Sequence, residues 1–254
     1  MKPVSIITIK IITFIQITLI LCLTIVNTVC AMTPEEILKD IRRRNGLGNG
    51  SYSIELKMTA YRNQDVSNAN IKVYTSGNKQ IVTFTAPEKL TDESYLVNGY
   101  NTWMYQQGLK RPIRISAQQK LFGDAGIAEA AGIDYANDYQ VVRSTETDLQ
   151  YQYELKAIDN RTAYQQAGLW IDKNGLLLNK VVLKALNGQP LKEIIYRNHR
   201  QLNGHEIADM EVRNLLQEKD NRTIMEYTAI TSREIPDKAF DPLMMGKLQL
   251  LIKE

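Results

Sequence analysis

The chain has 254 residues, 31 of them basic and 28 acidic, for a net charge of +3 at neutral pH. That near balance provides no strongly basic face of the kind nucleic acid requires. With two cysteines (Cys22 and Cys30) and two histidines, a disulfide scaffold and a cysteine-rich metal site are excluded.

Lys2 and Lys10 precede an uncharged run rich in Ile, Leu and Val from Ile11 to Val29, which ends in Val29-Cys30-Ala31. A basic flank, an apolar stretch and modest residues at its end predict a signal peptide, residues 1–31, cleaved after Ala31. The run approaches the roughly 20 residues that span a bilayer, so a retained anchor is the alternative. Neither cysteine follows the small residue that lipidation wants. Cleavage leaves residues 32–254 with no cysteine and nearly no net charge. Such a chain is held by its core alone, and its length suffices for a single domain.

Thr33-Pro34-Glu35-Glu36 places a hydroxyl at the cap, proline at the first helical position and glutamate at the third, which predicts a helix over 34–45. Ile37, Leu38 and Ile41 give it one apolar stripe, and Gly46, Gly48 and Gly50 stop it. From Tyr52 the period becomes two. Ile54, Leu56 and Met58 alternate with Glu55, Lys57 and Thr59, so one face is apolar and the other wet. Further short runs follow at 71–75, 81–87, 94–99, 102–106 and 111–116. A small-residue segment, Leu121 to Gly132, comes next and then Asp134-Tyr135-Ala136-Asn137-Asp138-Tyr139. Beyond it, strand-like runs at 151–157, 169–171, 181–183, 194–196 and 225–229 are separated by turn signals. Three of those are Asn-Gly, at 174–175, 187–188 and 203–204, the dipeptide of tight hairpins. About ten or eleven strands result, with little helix: 34–45, a short one near 124–131, and 241–248. The fold class is mainly β (α+β): a large curved antiparallel sheet, or half-barrel, with a few covering helices. Three short helices do not fill a wide half-barrel, so an apolar cavity is expected.

Phe84-Thr85-Ala86-Pro87, Trp103-Met104-Tyr105, Arg114-Ile115-Ser116 and Leu121-Phe122-Gly123-Asp124, in this order and spacing, resemble the LolA/LolB-like outer-membrane lipoprotein-sorting family, in its periplasmic LolA-like branch. The likeness is best over 81–139 and rests on strand spacing alone over 51–80 and 148–240. It implies a half-barrel whose helices close an apolar hollow, and partners of the lipoprotein-sorting kind or an inner-membrane transporter.

Enzymatic machinery is nearly absent from the sequence. No Gly-x-Ser-x-Gly elbow, phosphate loop or zinc-protease motif occurs. His199 and His205 face each other across the expected Asn203-Gly204 hairpin, but no third ligand accompanies them, and two solvated residues are the simpler reading. Asp134, Asn137 and Asp138 lack the ligand alternation of a calcium loop. The apolar pocket candidates are Ile54, Leu56, Met58, Phe84, Leu96, Trp103, Tyr105, Phe122 and Trp170. Arg111, Arg114 and Lys120 are candidates for a rim that meets headgroups or a partner, against the plainer reading of a wet strand face with Ile113 and Ile115 inward. Segment 124–132, marginal as a helix, is a candidate lid or a plain connector. The reading is a monomeric, non-enzymatic periplasmic carrier or chaperone, without cofactor or metal. It binds a lipid, or the acyl chains of a lipoprotein. A non-catalytic accessory domain working by protein contact with a transporter ranks second, and a lipid hydrolase third.

Overall fold

The computed structural model describes residues 32–47, 50–217 and 220–252, so the expected signal peptide lies outside the described residues. The helix expected over 34–45 is α1 (Pro34–Asn45), which buries Ile37 and Leu38, half-buries Arg42 and Arg44 and leaves Arg43 exposed. Six strands follow: β1 (Ser51–Arg62), β2 (Asp65–Ser76), β3 (Lys79–Ala86), β4 (Glu93–Asn98), β5 (Asn101–Gln106) and β6 (Ile113–Ile115). A small hairpin, β7 (Lys120–Phe122) with β8 (Ala125–Gly126), leads into α2 (Ile127–Ala131). Then come β9 (Tyr139–Glu146), β10 (Gln150–Ala157), β11 (Gln166–Asp172) and β12 (Leu177–Lys184). The last three strands are β13 (Pro190–Leu202), β14 (His205–Asn214) and β15 (Arg222–Ser232).

Thirteen strands form one antiparallel sheet in the order β6-β5-β4-β3-β2-β1-β15-β14-β13-β12-β11-β10-β9. It is two meanders joined in the middle: β1 pairs with β15, Tyr52 against Ser232 through Tyr61 against Arg222. The sheet stays open, with β6 and β9 as edges. Its hairpins use the turn chemistry the sequence announced. Asn203 and Gly204 both take positive φ between paired Leu202 and His205, as a two-residue hairpin of this kind requires.

Alternation along the strands gathers Leu56, Met58, Ile71, Val73, Leu155, Leu169, Val181 and Ile194 on one face, where α1 and α2 pack. The opposite face is not wet throughout. Tyr74, Ile81 and Leu96 are buried there beneath Ile235, Phe240, Met245 and Ile252 of the C-terminal segment. The helix expected at 241–248 is a 3-10 stretch, Pro242–Lys247, continued by a single turn, α3 (Leu248–Leu251). It covers this outer face and not the hollow. Among the described residues, no helix is long and apolar enough to cross a membrane.

Candidate functional site

A cavity of about 580 Å³ lies between the concave face of the sheet and a cover made of α1, α2 and the loops 133–138 and 161–163. Its apolar walls come from Ile54 and Leu56 of β1, Leu169 of β11, Ile194 of β13 and Met210 of β14. Leu38 and Ile41 of α1 and Ala128, Ala130 and Ala131 of α2 close it. The run of small residues in 125–132 thus has a geometric reason: alanines in the cover leave the space beneath them empty.

The C-terminal end of α1 is tied to the sheet. Arg44 pairs with Glu206 and donates to the Leu176 carbonyl at 2.8 Å. Asn45 donates to the Glu206 carbonyl, and the His205 ring lies 2.8 Å from the Asn45 carbonyl while standing edge-on to Tyr52. Across the mouth, Arg42 Nε donates to Asp134 Oδ2 at 2.7 Å. Asp134 also holds its own loop, accepting from the amides of Ala136 and Asn137 and from the Asn137 side chain. Its carboxylate is therefore occupied. Among the described residues no cluster of His, Cys, Asp and Glu could hold a metal ion. Asp138, on the same loop, has its carboxyl pushed up to about 6, first by burial and then by the charge of Asp134.

Segment 124–132, read from sequence as a lid or a connector, is fastened at its centre. Glu129, 2% exposed, receives the Lys192 ammonium at 2.7 Å, the Tyr164 hydroxyl at 2.6 Å and the Gly126 amide. The Tyr139 hydroxyl donates to the Tyr164 carbonyl below it. A buried carboxylate needs this many partners.

Of the nine apolar candidates, Ile54 and Leu56 line the cavity. Met58 and Phe84 are buried in the surrounding core, with Phe122 packed against it. Leu96, Trp103 and Tyr105 belong to the outer face under the C-terminal segment. Trp170 points away from the hollow, with the Lys180 ammonium 4.0 Å above its ring. Arg111, Arg114 and Lys120 are exposed, and Arg114 bonds the Asn101 side chain. Of their two neighbours Ile115 packs inward, while Ile113 is 50% exposed.

His199 and His205 do not converge. His205 is engaged with α1, whereas His199 lines the cavity. Sequence reasoning also missed other polar groups of the lining, among them Tyr196, Tyr227 and Thr162. The one available signal was Arg197-Asn198-His199-Arg200, which interrupts the apolar alternation of β13. No serine lines the cavity among the described residues, so a Ser–His pair is not assembled there.

A solved LolA superfamily protein from Nitrosomonas europaea superposes with a TM-score of 0.74 at 23% identity, covering 83% of this chain and 98% of that one. A domain named for outer membrane lipoprotein sorting, from Vibrio parahaemolyticus, gives 0.65 at 18% identity over 84% and 98%. A DUF1329 family protein from Desulfovibrio piger gives 0.65 at 16% over 82% and 95%. No curated protein matches the chain. A family model described as "Uncharacterized protein" matches residues 76–247. The chain belongs to that family, and its fold is LolA-like.

Proposed function

We propose that the chain is a periplasmic carrier that shelters a lipid, or the acyl chains of a lipoprotein, in the cavity beneath α1 and α2. The observation that carries this is the cavity itself: about 580 Å³, with a wall that is mainly apolar and polar groups set into it, inside an otherwise packed core. Protein interiors fill such space unless a ligand uses it. Each methylene moved from water to those walls contributes about 0.8 kcal/mol, so a long chain binds without any catalytic group. The shared fold of a domain named for lipoprotein sorting supports the reading. Release then passes the cargo to an acceptor or a membrane protein, with α1 and loop 133–138 as the moving parts.

Native mass spectrometry with lipid extraction, on protein purified from bacterial periplasm, tests it. A co-purifying phospholipid or acylated species, displaced by added fatty acid, is the expected result. A clean apo mass with no uptake would turn the reading to an accessory domain that works by protein contact.

A further inference from the structure

β13 is irregular where it crosses the cavity. Arg197 pairs with Asp209 and Arg200 with Ile207, so Asn198 and His199 together stand against Ala208. Asn198 takes a φ of +54°, a left-handed conformation that asparagine tolerates better than most residues. Its side-chain amide donates to Asp209 at 3.1 Å. The bulge changes which side chain faces inward. Tyr196 lines the cavity, and in an unbroken strand Asn198 and Arg200 would follow it on that face. Instead His199 does. Re-aiming a side chain is a recognised consequence of a bulge.

The side chain so delivered brings an unfilled hydrogen bond. His199 Nε2 is buried and has no partner, while the ring hydrogen-bonds the Leu178 backbone in the sense that favours a protonated nitrogen. The donor is then Nδ1, and a neutral imidazole of that tautomer can only accept at Nε2. Burial holds the ring's pKa below its ordinary value, which keeps it neutral at pH 7. Buried polar atoms are nearly always paired. Thr162 Oγ1, on the same lining, is likewise without a partner, and the Tyr135 hydroxyl has only that of Tyr196 beside it. A bare hydrocarbon would leave these groups unsatisfied.

Resting on the carrier reading, we propose that the cargo is a long-chain lipid with a hydroxyl carried inside the cavity, and that His199 Nε2 accepts its hydrogen. The acceptor selects for a donor and against a chain of equal length that lacks one.

Displacement of an environment-sensitive fluorescent fatty acid by hexadecanol and by hexadecyl methyl ether tests the selection: a methyl replaces the hydroxyl hydrogen, which removes the donor, and its added apolar surface works against the expected preference. The protein purified from periplasm should bind the alcohol at least tenfold more tightly. In His199→Phe the two should compete within about twofold, since the acceptor is gone. Equal competition in the wild type overturns the proposal and leaves the carrier reading standing; this arm needs no variant to fold. A preference that survives in His199→Phe overturns the role of His199. Displacement by neither compound, nor by palmitate, overturns the carrier reading and the selection together.

Discussion

Arg42 Nε and Asp134 Oδ2 are 2.7 Å apart and join α1 to the loop that faces it across the cavity mouth. Both side chains are about a third exposed, so the pair contributes little to global stability, about 0.2–1 kcal/mol. Its position gives it a larger effect on passage. Arg42→Gln is expected to accelerate both uptake and release of a fluorescent fatty acid several-fold in stopped flow, with the unfolding midpoint almost unchanged. Raising the ionic strength should accelerate the wild type toward the variant's rates and leave the variant indifferent. Identical rates for the two proteins at low salt would remove the latch from the mechanism.

Glu129 and Lys192 are the opposite case, an ion pair taken out of water. Glu129 contacts the ammonium, a tyrosine hydroxyl and a backbone amide, and its side chain has no exposed surface. Removing the ammonium strands the charge, so Lys192→Met should cost about 3–5 kcal/mol in urea unfolding. Adding Glu129→Gln to that variant should recover part of the loss, because the amide needs no counter-ion. A double variant as unstable as the sum of the singles would show that the pair's charge is not what matters.

Asp138 makes stability depend on pH with a fixed sign. Its carboxyl titrates at about 6 in the folded chain against an ordinary 3.8, because burial and Asp134 disfavour the charged form more than Arg42 favours it. The folded state therefore holds this proton more tightly than the unfolded state. The ionised group destabilises the fold fully above pH 6, progressively less as pH falls from 6 to 4, and not below. Asp138→Asn is expected to raise the melting temperature at pH 7.5 by a few degrees, at about 2–4 °C per kcal/mol, and to change nothing at pH 4. A gain that persists at pH 4 would assign the effect to something other than this charge.

The helix cap at Thr33-Pro34, the alternation in β1 and the Asn-Gly turns are local codes, and each was readable because its period or dipeptide needs no tertiary partner. β9 and β14 were passed over for different reasons. β9 is an edge strand with most of its residues exposed, so it lacks an apolar face to alternate. β14 buries Asp209 and Glu211 on its outer face among Arg197, Arg200 and Arg213, and charge there hides a strand. Which face an aromatic takes is a matter of register. Leu96, Trp103 and Tyr105 were readable as apolar strand residues, but the C-terminal segment that buries them lies some 130 residues further along. The tag Leu121-Phe122-Gly123-Asp124 does have a local physical meaning. Gly123 has a φ of +57°, and a Cβ there would sit 2.1 Å from Thr223 Oγ1 and 2.6 Å from the Ala60 Cβ. The Asp124 amide donates to that same hydroxyl at 2.7 Å. His199's place in the cavity lining was illegible because a one-residue bulge decides it, and a bulge of this kind leaves only a faint trace in sequence.

The division of the aromatic and aliphatic candidates between two faces can be read out by two substitutions with opposite signatures. Ala131 closes the cavity from α2 and is only partly buried, facing open space. Ala131→Phe adds a ring where there is room for one, so little of the 1–3 kcal/mol penalty of overpacking applies. The ring competes with cargo, and affinity for a fluorescent fatty acid should fall at least tenfold at nearly constant stability. Leu96 has no exposed surface and sits under the C-terminal segment on the outer face. Leu96→Ala opens a void there and should cost about 2–5 kcal/mol, while the folded fraction binds with wild-type affinity. Reversal of the two patterns, with Leu96→Ala weakening binding and Ala131→Phe leaving it intact, would place the lipid on the outer face and not beneath α2.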